Sequence, residues 1–249
     1  MQQERRELPV PGTGAAGEVI RYGHWGRPVL AFPAERGSAV DFESHGMVDA
    51  IAGLIDSGRV KLYCVDSFDG ESWARYDLPL EERARRHALY EDWILGQVVP
   101  YIQADCGGAP VEIATTGVSL GAYHAVNFAL KHAYEFPLAI GLSGNYDPST
   151  WRAWGERGDA TYFNSPVDYV PNLGGDHLDW LRSRVSILLV VGQGAWETHP
   201  TGALPSSQRL AALLAERGIP CELDLWGTDV AHDWPWWRRE LAQNLPRFC

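Results

Sequence analysis

The stretch that most constrains this chain is residues 116–122, which read T-G-V-S-L-G-A. It follows the apolar, β-branched run Val111-Glu112-Ile113-Ala114-Thr115 and opens a helical segment over residues 122–132. A G-x-S-x-G turn alone is a common loop. Set between a strand and a helix, it reads as a nucleophile elbow. Gly117 and Gly121 leave room for a strained turn and for close helix–strand packing, where a Cβ would collide. Such a turn lifts the Ser119 hydroxyl above the sheet edge. The backbone N–H of Leu120, at the start of the helix, faces the same point and is oriented to bind an oxyanion.

Around that turn, strand and helix patterns alternate. Residues 18–23 alternate apolar and polar like a half-buried strand, after a polar arm or edge hairpin over residues 1–17. Residues 28–32, 61–65, 138–143 and 185–191 are short apolar runs, as in strands buried on both faces. Residues 221–226 alternate like an edge strand. Helical spacing appears over residues 45–55, over 80–105 with a kink expected at Pro100, over 206–217 with Ser206 or Ser207 as N-cap, and over 234–248. This order predicts an α/β fold: a mostly parallel sheet with helices on both faces. No repeat or linker divides residues 1–249, so one domain is expected. Residues 149–182 lack periodicity and are expected to form an insertion or lid over the sheet.

Composition narrows the function. The chain has 249 residues, enough for a sizeable core. Its net charge of -11 argues against a nucleic-acid or anionic-membrane partner, since both need a basic face. The polar residues 1–7 lead into no apolar signal segment, and no run approaches a membrane span, so a cytoplasmic location is expected. Cys64, Cys106, Cys221 and Cys249 lack metal or redox spacing; free thiols are expected, and no metal. Eleven tryptophans are unusual. They either pack loops on the core or line an apolar or sugar-binding pocket. Trp73 and Trp196, each just past a strand end, are the candidates for substrate contact.

A serine hydroxyl needs a base, and the base needs an acid to orient it. His232 follows the last strand and is the candidate base. The other histidines precede the relevant strand ends, ride the elbow helix or, like His199, sit in an earlier loop. The acid should follow strand 185–191, where the first carboxylate is Glu197. Asp147, at the end of the preceding strand, competes, although capping a turn before Pro148 suits it better. A second oxyanion donor should come from the loop after residues 28–32, from the N–H of Ala34 or Glu35. Asp69, Glu71 and Trp73 follow another strand end and face the same region.

Residues 117–132 (G-V-S-L-G-A-Y-H-A-V-N-F-A-L-K-H), the segment L-S-G-N-Y-D, the ending A-H-D-W-P-W-W-R-R-E-L and the loop D-S-F-D-G-E-S-W resemble the esterase D / feruloyl esterase-like branch of the α/β-hydrolases. The resemblance covers residues 25–249. It implies an α/β-hydrolase fold, a nucleophile at Ser119, a base at His232, a small-molecule ester substrate and no cofactor. One position departs. That branch carries an Asp in a G-x-x-D pattern after the penultimate strand; here the position is Ala195, in Gly192-Gln193-Gly194-Ala195. Two classes of function therefore follow. One is a serine esterase, or an acyltransferase built on the same site, with Glu197 in place of the Asp. The other is a hydrolase-fold protein that binds a ligand or partner and has lost catalysis.

Overall fold

The computed structural model describes all of residues 1–249. Its centre is one eight-stranded sheet. The strands are β1 (Gln3–Pro9), β2 (Ala16–Tyr22), β3 (Arg27–Phe32), β4 (Val60–Val65), β5 (Ala114–Val118), β6 (Leu138–Leu142), β7 (Ser186–Val191) and β8 (Cys221–Leu225). They are ordered β1-β2-β4-β3-β5-β6-β7-β8. β1 and β2 form an antiparallel edge hairpin, and β2 runs antiparallel to β4. Every pairing from β4 to β8 is parallel.

The continuous apolar runs have two cores to fill. Along β3, Leu30 and Phe32 enter one core while Val29 and Ala31 enter the other. Along β7, Ile187 and Leu189 alternate in the same way with Leu188 and Val190. This two-residue period with both faces covered is what a helix-clad parallel sheet demands.

The smaller core is covered by α1 (Asp41–Ser44), α2 (Met47–Ala50), α3 (Ala52–Asp56) and the C-terminal helix. The single helix expected over residues 45–55 is thus two short pieces, α2 and α3, parted at Ile51. Gly46, with φ +74, a conformation only glycine adopts freely, separates α1 from α2.

The larger core is covered by α4 (Leu80–Trp93), α5 (Val99–Asp105), α6 (Leu120–Lys131), α7 (Asp159–Tyr162), α8 (Pro166–Tyr169), α9 (Gly175–Arg184) and α10 (Ala203–Glu216). Pro100 has no N–H to give, and the chain answers with a π-helical turn over Ile94–Val98 that joins α4 to α5. Residues 149–182 hold short helices that pack over the sheet. Two expected boundaries move. Gly202 caps α10, and Ser206 and Ser207 lie inside it; Ser206 Oγ accepts from Tyr146 N at 2.7 Å, which ties the loop after β6 to the helix. The last helix, α11 (Trp234–Asn244), stops short of Phe248 and passes into a 3₁₀ turn, Leu245–Phe248.

Candidate active site

The C-terminal ends of β3 to β8 open on one side of the sheet, where ligands of parallel α/β folds bind. Between β5 and α6, Ser119 takes φ +56 and ψ -120. This backbone is strained for any residue with a Cβ, at a cost of about 1–3 kcal/mol. The two glycines make it possible. A Cβ on Gly117 would collide with the carbonyl of Gly121; one on Gly121 would collide with the carbonyls of Phe32 and Pro33. The elbow is therefore wedged against the loop after β3. Leu120 N–H lies in the first turn of α6, where no intrahelical acceptor is available to it.

His232 is held between β8 and α11. Its Nε2 lies 2.9 Å from Ser119 Oγ, and its Nδ1 lies 3.2 Å from Glu197 Oε2. Glu197 is wholly buried. The structure thus brings Ser119, His232 and Glu197, from three distant stretches of chain, into one line. The backbone on either side of Ala195 is packed against the loop that carries His232. Gly192 and Gly194 run so close to Val230 that a Cβ on either would strike its carbonyl. Gly194 N donates to Val230 O at 2.8 Å, and His232 N donates to Ala195 O at 3.1 Å. The Ala195 carbonyl thus helps hold the backbone of His232. One residue on, Trp196 takes φ +70. That turn leaves its own ring 79% exposed and sends Glu197 inward.

The Glu197 carboxylate has a second anchor. Ser143 Oγ donates to Glu197 Oε1, and Trp237 Nε1 donates to Ser143 Oγ at 3.0 Å. Trp237 also meets the His232 ring edge-on, with centroids 4.9 Å apart. Neither Ser143 nor Trp237 stood out in the sequence, although Ser143 ends a predicted strand and takes the strained φ of +55. Asp147 is elsewhere. It caps a 3₁₀ turn, accepts from Ser149 N at 3.1 Å and pairs with Arg209 at 2.8 Å.

A cavity of about 490 Å³ lies above Ser119, Leu120 and His232. Its walls include Trp73, Trp196, Tyr76, Trp151 and Glu35. Both expected tryptophans border it, Trp73 as a buried floor and Trp196 as an exposed rim. In the loop after β3, Glu35 borders the cavity, while the Ala34 side chain packs on the smaller core. Asp69 lies below, wholly buried, with its carboxylate 2.9 Å from His124 Nε2 and 2.8 Å from Ser67 Oγ. Glu71 borders a different cavity. No group of three or more His, Cys, Asp or Glu side chains is placed to hold a metal ion.

The Esterase family, described as "Putative esterase", matches residues 31–248. The chain belongs to this family. It is a carboxylic ester hydrolase with the α/β-hydrolase fold. No curated protein matches this esterase by sequence. Among solved structures it is similar to a ferulic acid esterase, with a TM-score of 0.74 and 19% identity over 99% of this chain and 96% of that one. It is also similar to an S-formylglutathione hydrolase from Agrobacterium tumefaciens, with a TM-score of 0.71 and 14% identity over 98% and 93% of the two chains. An S-formylglutathione hydrolase from Staphylococcus aureus gives a TM-score of 0.69 and 12% identity over 99% and 96%. At these identities the likeness concerns the fold.

Proposed function

We propose that this esterase cleaves its substrate through an acyl-enzyme on Ser119. The observation that carries the reading is the unbroken line from Ser119 Oγ through His232 to the buried Glu197. Glu197 accepts the Nδ1–H of His232, which leaves the Nε2 lone pair facing the serine hydroxyl. His232 takes the hydroxyl proton as Ser119 Oγ bonds to the ester carbonyl carbon. The carbonyl oxygen becomes an oxyanion, held by Leu120 N–H and by a second N–H from the Ala34–Glu35 stretch. The intermediate collapses, the carbon–oxygen bond to the alcohol breaks, and His232 returns the proton to the departing alcohol. Water then attacks the acyl group by the same steps, releasing the acid and restoring Ser119.

Trp73 and Trp196 contact the substrate at the floor and rim of the cavity. We place the protein in the cytoplasm, where four free cysteines are at home; no helix is long and apolar enough to cross a membrane. The test is pre-steady-state hydrolysis of p-nitrophenyl acetate. The expected result is a nitrophenolate burst of about one equivalent per chain, lost in Ser119→Ala. Steady hydrolysis that survives Ser119→Ala would contradict the reading.

A further inference from the structure

Five non-glycine residues have positive φ, and four of them border the catalytic cavity: Ser119, Ser143, Arg152 and Trp196. Two belong to the triad and its anchor, and Trp196 turns the chain for Glu197. Arg152, at φ +50, has no such task. Its guanidinium sits 5.0 Å from the centre of the Tyr76 ring. A second guanidinium, that of the wholly buried Arg83, sits 4.9 Å from the same ring. Arg83 is spent on the cavity wall: its Nε donates to Trp73 O at 2.7 Å and its Nη1 to Trp151 O at 3.0 Å. It keeps one buried nitrogen, Nη2, without a partner.

Neither of these arginines is ion-paired to a carboxylate. The acidic residue on this wall, Glu35, accepts from Tyr76 OH at 2.7 Å and has Arg36 at 4.0 Å. Over the Tyr76 ring lie two guanidiniums, and one carboxylate, Glu35, takes its hydroxyl, in a molecule whose net charge is -11. An arginine stacked on an aromatic ring keeps the N–H groups of its edge for a planar anion. A charge-assisted, two-pronged contact to a carboxylate is the interaction that edge makes best.

We propose that the site selects esters that carry a second, ionised carboxylate, and that Arg152, stacked on Tyr76, is the residue that selects them. The inference rests on the reading of Ser119 as nucleophile. The carboxylate lies on the acyl or the alcohol side of the scissile bond. Arg152 binds it as a spectator while the ester is cleaved.

Matched substrates test it. On the acyl side the pair is mono-4-nitrophenyl adipate and 4-nitrophenyl hexanoate; on the alcohol side, 4-(carboxymethyl)phenyl butanoate and 4-ethylphenyl butanoate. At low ionic strength one anionic member is expected to exceed its neutral partner in kcat/KM by about tenfold, an advantage that shrinks as salt screens the charge. Arg152→Gln should erase the ratio, Arg152→Lys should keep part of it, and Arg152→Glu should invert it. A ratio at or below one in both pairs, or a ratio that Arg152→Gln leaves in place, overturns the inference. A fluorophosphonate probe applied in parallel separates the two levels. Labelling of Ser119 without an anionic preference removes this inference alone. Absence of labelling removes the acyl-enzyme reading beneath it.

Discussion

At the scale of single residues, the serine and the histidine were legible in the sequence because each follows a strand in a recognisable setting. Glu197 was visible only as the first carboxylate past β7. What the sequence could not display is that Gly192 and Gly194 press against Val230 and that the Ala195 carbonyl accepts from His232 N. Nor did it show that a left-handed Trp196 delivers Glu197 two residues late. If Glu197 orients the imidazole, Glu197→Gln should lower kcat by about 10⁴ through the wrong histidine tautomer, with KM little changed. Ser143→Ala, which removes the donor to Glu197 Oε1 while leaving the carboxylate in place, should give a smaller fall in kcat. Steady-state kinetics of the two variants checks both. A loss below tenfold in Glu197→Gln would mean that another group supports His232.

At the scale of elements, α11 starts at Trp234 as expected and ends at Asn244. Its inward positions, Trp237, Glu240, Leu241 and Asn244, follow helical spacing, but two of them are polar. A hydrophobic pattern therefore cannot mark that face. Glu240 is wholly buried and its carboxyl oxygens have no partner. Burial, aided by the charges of Glu197 and Asp224, pushes its pKa up to about 8 from an ordinary 4.5. The folded state thus holds a proton that the unfolded chain has released. The stability this group contributes is complete below about pH 4.5 and is lost as pH rises to about 8. Glu240→Gln does not titrate. Its stability relative to the wild type should rise between pH 5 and 8 and level off above, as read by urea unfolding. A difference that does not move with pH would show that Glu240 ionises normally in the fold.

At the scale of the whole molecule, alternation of strand and helix sufficed for the sheet class because both sheet faces are clad. The tryptophans divide in a way that counting could not show. Trp73, Trp151 and Trp196 border the cavity, Trp93 packs the larger core, and Trp234 and Trp237 pack the smaller one. The same sheet carries Ser119 after β5, Glu197 after β7 and His232 after β8. No contact between neighbours in sequence could bring these three together; the parallel strand order does. The claim that this convergence is a working triad has one direct measurement. The protein is reacted with a fluorophosphonate, its mass is read intact, and the adduct is mapped by proteolysis. One adduct per chain is expected, on Ser119, forming far more slowly in His232→Ala and not at all in Ser119→Ala. No adduct on the wild type, or an adduct on another residue, would contradict it.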